Sequence, residues 1–348
     1  MTKRDIKSLL LPEFTEYFAS IGEKAFRARQ VFLWLHRGVE TFGEMTDIPE
    51  QLRVRLGTEF FISVPELLVK QESKLDGTVK YLWGMPDGAA VESVLMEYEH
   101  GSTVCISTQV GCRMGCLFCA SATGGLIRNL TASEMENQVL YVQRDSGKRI
   151  SNVVLMGTGE PLDNFDNVLR FLQLVIHPSG LNIGARHITV STCGIIENID
   201  KLADYSIQLT ITVSLHAPDD ETRMKLMPVS RSCCVDDLLE TCGRYFHRTG
   251  RRVSYEYALI ADINDTKSHA QLLADKLKNT GSHVNIILLN NVAEHENIIK
   301  PSSQENVRVF TGILSQNGIN YTIRRRLGGD IDAACGQLRG RYGTLGTN

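Results

Sequence analysis

Cys112, Cys116 and Cys119 stand at C-x-x-x-C-x-x-C spacing within Gln109-Val110-Gly111-Cys112-Arg113-Met114-Gly115-Cys116-Leu117-Phe118-Cys119. A [4Fe–4S] cluster takes one cysteine per iron, so three thiolates leave one iron open. An open iron can bind the amino and carboxylate groups of S-adenosylmethionine and pass an electron to its sulfonium, releasing a 5′-deoxyadenosyl radical. Gly111 and Gly115 permit the tight turns of such a loop, and an aromatic residue, Phe118, precedes the last cysteine. Two other readings of clustered cysteines stand beside this one. A zinc site wants a fourth nearby ligand, and no histidine lies in or close to the loop. Buried structural thiols are the other. The spacing favours the cluster.

The loop needs a scaffold that delivers it to a mouth. Beyond residue 100 the sequence alternates strand-like runs near 103–107, 151–156, 187–192, 209–215, 253–260 and 283–289 with helical runs near 131–145, 164–176, 195–204, 235–248, 267–279 and 304–317. Such alternation implies a parallel sheet. The expected fold class is α/β: six βα units forming a partial (β/α)6 TIM-like barrel, open on one side, with a last strand at 320–325. Residues 1–65 read as a helical accessory domain, with helices over 11–21, 25–37 and 48–61. Residues 66–98 read as a linker, a β-hairpin or small antiparallel sheet cut by Asp76-Gly77 and Pro86-Asp87-Gly88 turns, 99–326 as the core, and 327–348 as a glycine-rich tail.

On this scaffold the cysteine loop follows the first barrel strand at its carboxyl end, where such barrels build their sites. Gly157-Thr158-Gly159-Glu160-Pro161 follows the second strand, Ser191 ends the third, Ser214-Leu215-His216 ends the fourth and Asn290 ends the sixth. Gly157 and Gly159 let a backbone approach a ligand edge, and Glu160 can accept from an amino group. Each has a plainer reading: a turn, a satisfied polar group, or a cap. As a set facing one mouth they favour a cofactor pocket. Cys105, inside the first strand, reads as a small buried hydrophobe. Cys335 sits among glycines and alanines suited to a segment that reaches into a site. Glu92 is a general base or the polar face of its strand. Cys193, Cys233, Cys234 and Cys242 lack ligand spacing and read as structural.

Composition narrows the classes. The 348 residues are 43% hydrophobic, enough for one barrel-sized domain with a small appendage. No run approaches the 18 or so apolar residues of a membrane span, and the first residues lack a secretory pattern, so a soluble cytoplasmic protein is expected. Nine cysteines, an odd number, argue for thiol chemistry over a disulfide framework. The net charge of −3 does not mark a nucleic-acid binder. Basic residues nevertheless gather at Lys24, Arg27, Arg29 and Arg37, at Arg248, Arg251 and Arg252, and at Arg324, Arg325, Arg326, Arg339 and Arg341. Each group is a phosphate-binding face or an ordinary solvated surface.

With these residues in view, the sequence resembles the RlmN family of radical S-adenosylmethionine methyltransferases, which act on adenine in 23S ribosomal RNA and in transfer RNA. The resemblance runs in order through Phe26-Arg27-Ala28-Arg29-Gln30, the Cys105–Cys119 stretch, Arg128-Asn129-Leu130-Thr131, Gly159-Glu160-Pro161, Ser214-Leu215-His216 and Asp330-Ile331-Asp332-Ala333-Ala334-Cys335-Gly336-Gln337-Leu338. It implies that Cys112, Cys116 and Cys119 hold a [4Fe–4S] cluster, and that Gly159, Glu160, Ser191, Ser214, Leu215, His216 and Asn290 line the S-adenosylmethionine site. It implies Cys335 as a methyl-carrying cysteine, Cys105 as its later disulfide partner and Glu92 as proton acceptor. It further implies an external electron donor of the flavodoxin or ferredoxin kind, a monomer, and no membrane association. Asn291 and His36 depart from the pattern, where Pro and Tyr are common.

The implied product is an adenine methylated at carbon 2. The sibling Cfr activity methylates carbon 8 with similar parts, and Gly-Glu-Pro in place of Gly-Glu-Ala, with the Phe-Arg-Ala-Arg-Gln helix, favours carbon 2. A noncatalytic iron–sulfur RNA-binding protein is the reading from another class.

Overall fold

The computed structural model describes residues 3–122, 124–289, 299–325 and 327–331. A short strand β1 (Arg4–Asp5) opens the chain, followed by α1 (Leu11–Ser20), α2 (Ala25–His36) and α3 (Glu50–Glu59). The strand β2 (Phe60–Phe61) returns to pair with β1 in parallel. Phe14, Phe18, Val31, Phe32, Leu35 and Leu56 bury one face of these helices in a core continuous with that of the rest of the chain. The module is also tied to the neighbouring core helix by polar bridges: Lys7 to Asn137, Ser8 to Ser133, and His36 to Glu136.

Next come β3 (Glu66–Glu72), β4 (Val79–Gly84), β5 (Ala90–Tyr98) and β6 (Gly101–Ile106), which form an antiparallel meander. Residues 66–98 are therefore not the separate linker expected from sequence. They are three strands of the central sheet, because β5 pairs along its length with β6, the first parallel strand. A small ribbon of β7 (Gln109–Gly111) and β8 (Leu126–Asn129) brackets the cysteine loop.

The remaining elements alternate: α4 (Ala132–Ser146), β9 (Ile150–Leu155), α5 (Phe165–Ile176), β10 (Ile188–Thr192), α6 (Ile196–Asp204), β11 (Thr210–Ser214), α7 (Asp220–Leu226), α8 (Val235–Thr249), β12 (Val253–Leu259), α9 (Lys267–Leu277), β13 (His283–Leu288), α10 (Gln304–Gln316) and β14 (Asn320–Ile323). The ten-stranded sheet has the order β14-β13-β12-β11-β10-β9-β6-β5-β4-β3. Every pairing from β6 to β14 is parallel. The sheet is open, with β14 and β3 at its edges, as the expected partial barrel requires.

Local chemistry explains the boundaries. Thr131 caps α4 in a reciprocal box with Glu134, and Gly147 ends that helix in the left-handed region. The helix α7 has no counterpart in the expected set, since seven residues are too few to show a period. The ribbon is missing for the same reason, its strands being three and four residues long. Among the described residues no helix is long and apolar enough to cross a membrane.

Candidate active site

At the carboxyl ends of the parallel strands lies a cavity of about 310 Å³. Its lining brings together Cys112, Cys116 and Cys119, then Gly157, Gly159 and Glu160 after β9, Ser191 on β10, and Ser214 and His216 at the end of β11. The parallel order of the sheet sets these segments side by side, although they are far apart in the chain.

The loop is held at both flanks. The Cys112 N–H donates to Gly125 O at 2.9 Å, and the Leu117 N–H donates to Leu226 O, also at 2.9 Å. A Cβ at Gly111, whose φ is +81°, would fall 2.0 Å from Gly125 O, so only glycine closes this ribbon. Burial pushes the Cys112 thiol up to about 11 and raises that of Cys116 further. Metal binding must displace those protons.

Glu160 is 4% exposed. Its Oε1 accepts the Leu162 N–H at 2.9 Å and its Oε2 accepts the Cys193 N–H at 2.7 Å. One carboxylate thus ties the turn after β9 to the turn after β10, and burial raises its pKa. Lone pairs left on both oxygens can still receive a ligand's donor. Gly159, which lines the cavity, is also required for packing: at φ +110° an added Cβ would lie 2.6 Å from the Gln109 side chain. The glycine lets this turn pack on the strand that leads into the cysteine loop.

His216 adopts a left-handed backbone at φ 56°, uncommon for a residue with a Cβ. Its Nδ1 accepts the Ala258 N–H at 3.0 Å, and its ring meets Phe118 edge-on with centroids 4.6 Å apart. Burial, helped by Arg223, lowers its pKa to about 3, so the imidazole is neutral with its proton on Nε2. Leu215 does not line the cavity: its side chain is fully buried, and its N–H donates to Glu256 O at 3.1 Å.

Glu256, Arg324 and Asn285 form a polar group that sequence reading missed. Glu256 and Arg324 line the cavity, and Glu256 Oε1 accepts from Arg324 at 2.7 Å and from Asn285 at 2.9 Å. Glu256 lies in a strand buried at every residue, so only a charged side chain inside an otherwise apolar run could have signalled it. Arg324, grouped by sequence with a basic surface, stays 39% exposed while its guanidinium reaches Glu256 at the cavity wall.

Glu92 and Cys105 are not on this cavity. Cys105 lies opposite Val94, two residues from Glu92 on β5, so both side chains share one sheet face. That face continues through Thr103 and Met96, which line a second cavity of about 630 Å³. Glu92 is buried and forms an ion pair with Lys80 at 3.0 Å. Asn290 and Cys335 lie outside the described residues.

The donor set fits a cluster. The loop offers thiols and no carboxylate or imidazole. Among the described residues no three His, Cys, Asp or Glu side chains converge on a single-ion site, as zinc would require. One cysteine per iron instead calls for thiolates set apart around a larger body.

Comparison with known proteins agrees with this geometry. Residues 106–273 match the model of the Radical SAM superfamily, and residues 5–62 match that of the ribosomal RNA large subunit methyltransferase N-terminal domain. A probable dual-specificity RNA methyltransferase RlmN from Lachnoclostridium phytofermentans is 51% identical, covering 98% of this chain and 95% of that one. Its counterpart from Alkaliphilus metalliredigens is 49% identical over 98% and 97%. The crystal structure of a radical SAM methyltransferase from Sphaerobacter thermophilus superposes with a TM-score of 0.89 at 40% identity, covering 96% of this chain and 98% of that one. Identity near one half along the whole length, on a fold that gathers the cysteine loop and the strand-end residues at one cavity, means that the chain belongs to the RlmN family of radical S-adenosylmethionine RNA methyltransferases.

Proposed function

We propose that this enzyme methylates carbon 2 of adenine in 23S ribosomal RNA, at the peptidyl-transferase centre, and in transfer RNA, at the adenine 3′ of the anticodon. The observation that carries the proposal is the single cavity shared by Cys112, Cys116, Cys119, Glu160, Ser191, Ser214 and His216. In it the three cysteines hold the cluster, while the Glu160 carboxylate and the neutral His216 Nε2–H offer an acceptor and a donor to S-adenosylmethionine. The family resemblance assigns Asn290, which lies outside the described residues, to the same site. When bound, cluster and S-adenosylmethionine supply radical chemistry, which carbon 2 demands because it lies between two ring nitrogens and is too electron-poor to attack a methyl donor.

The chain's own residues carry the methyl group to product. Cys335 sulfur holds it; that S-methyl group gives up one hydrogen atom to the bound cofactors, and one electron passes to them as carbon 2 is deprotonated, so that its carbon bridges that sulfur and adenine carbon 2. The start of the tail is anchored five residues before Cys335: Asp330 accepts from the Lys74 N–H at 2.8 Å, and Asp76 accepts from the Gly328 N–H at 2.8 Å. Glu92 removes the proton from carbon 2. The Cys105 thiolate then attacks Cys335 sulfur, the sulfur–carbon electron pair leaves with the transferred carbon, which takes up a proton to become the methyl group, and a disulfide remains for external reduction. The shared sheet face of Glu92 and Cys105 supports paired action of base and thiol.

RNA meets the enzyme partly through α2. Phe26 is 52% exposed, Arg27 stacks over it at 4.9 Å, and Arg37 lies 5.9 Å over Trp34, near exposed Lys24 and Arg29. Such cation–aromatic faces suit unpaired bases and phosphates. The enzyme works as a cytoplasmic monomer with an external flavodoxin- or ferredoxin-like electron donor. Nuclease digestion and mass spectrometry of ribosomal and transfer RNA from cells expressing it should show 2-methyladenosine. Finding 8-methyladenosine alone would move the assignment to the Cfr activity.

A further inference from the structure

Arg223, on α7, is a buried cation that neither the cavity lining nor the proposed reaction accounts for. It is 1% exposed. Its guanidinium donates to Cys193 O at 2.6 Å, Leu215 O at 3.2 Å and Ser214 O at 3.3 Å. These are neutral backbone carbonyls, and among the described residues no carboxylate is ion-paired with it. A full charge withdrawn from water without a counter-ion is costly, and such charges are ordinarily paired.

The helix that carries it ends against the cysteine loop. Leu226, one turn further along α7, receives the Leu117 N–H, and Leu226, Met227 and Cys193 pack in one apolar cluster with Cys112 and Met114. A Cβ on Gly115 would lie 3.6 Å from Pro228, just beyond the helix. The groups whose negative charge would favour the cation are, in order, Cys193, Cys233, Cys116 and Asp220. The Asp220 carboxylate is engaged at the start of α8, where it accepts the Val235 N–H at 2.7 Å. A loop cysteine, Cys116, is thus among the groups whose thiolate form the Arg223 charge favours.

We infer that Arg223 is an electrostatic positioning residue for the cluster: its unneutralised charge sits behind the cysteine loop and offsets the negative charge that three thiolates bring and that each reduction increases. The inference rests on the family reading that the loop carries a cluster. Tying the ends of β10 and β11 together needs only N–H donors, whereas stabilising added electrons needs the charge. In a low-dielectric interior such a charge acts over several ångströms.

The test uses the full chain, reconstituted with iron and sulfide without oxygen, as wild type, Arg223→Gln and Arg223→Lys. Iron content and an EPR-monitored reductive titration without S-adenosylmethionine are the readouts. Arg223→Gln should load iron but be at least tenfold harder to reduce at a given potential, a downward shift of about 59 mV for one electron. Arg223→Lys should stay close to wild type. Equal potentials in wild type and Arg223→Gln, or equal shifts in both variants, would leave a structural tie and overturn the inference. Should Arg223→Gln fail to load, iron uptake decides: retention by Arg223→Lys alone supports the charge, and failure of both overturns it. A wild-type chain that takes up no cluster would instead refute the cluster reading itself.

Discussion

His216 offers a sharp test because its burial and its hydrogen bond make one quantitative statement. The ring is buried, its Nδ1 is occupied by the Ala258 N–H, and its pKa falls from 6.5 to about 3. The native state therefore resists a proton that the unfolded chain accepts. The folded pKa is depressed, so as pH falls below about 6.5 the unfolded state binds the proton first and stability is lost, until the native ring protonates near 3. At pH 5 the unfolded imidazole is almost fully protonated and the native one is not. Linkage then gives a loss of about 2 kcal/mol relative to pH 7.5, from about 1.4 kcal/mol per pH unit over the 1.5 or so units below 6.5. The perturbation is His216→Asn, which keeps an acceptor for Ala258 and tolerates the left-handed backbone. Urea unfolding of the iron-free chain, reduced and without oxygen, should show wild type losing about 2 kcal/mol more than the variant between pH 7.5 and 5. Other groups titrate alike in both and cancel. Equal losses, or an imidazole seen by NMR to titrate between pH 5 and 8, would refute the buried neutral histidine.

Two further outcomes follow from other residues. Glu160→Ala strips the acceptor from two buried N–H groups, Leu162 and Cys193, and should cost about 2–4 kcal/mol, read as a lower unfolding midpoint together with weakened S-adenosylmethionine binding. An unchanged midpoint would mean that water replaces the carboxylate. Cys105→Ala should accumulate protein crosslinked to RNA through Cys335, visible on denaturing gels and removed by nuclease. Normal turnover without the crosslink would end the resolving role.

Legibility from sequence followed distance along the chain. Cys112, Cys116 and Cys119 fall within eight residues, so their spacing alone states a ligand geometry. The alternation of strands and helices was readable because each buried face imposes its own period on contiguous residues. The expected helix over 267–279 is α9 (Lys267–Leu277), and the expected strand over 253–260 is β12 (Val253–Leu259). Glu160, Ser191, Ser214 and His216 were found because a parallel sheet puts strand ends at one mouth, a rule that needs only the strand boundaries.

What the sequence could not supply depends on register and on side chains meeting across the barrel. Glu256 reads as one polar residue in a strand; only the sheet order β12-β13-β14, which leaves β13 alone between them, makes it the partner of Arg324. Lys80 and Glu92 lie twelve residues apart on antiparallel strands, and their pairing follows from the Leu82–Glu92 register, which carries no local sequence mark. The conversion of residues 66–98 from a linker into part of the main sheet is likewise a matter of which strand β5 finds beside it. By itself the sequence marked the candidate ligands and the repeating units, because spacing and periodicity are local. The tertiary structure decided which charges are buried, what each one faces, and which polar residues share a wall, because desolvation and pairing exist only once distant strands have closed around them.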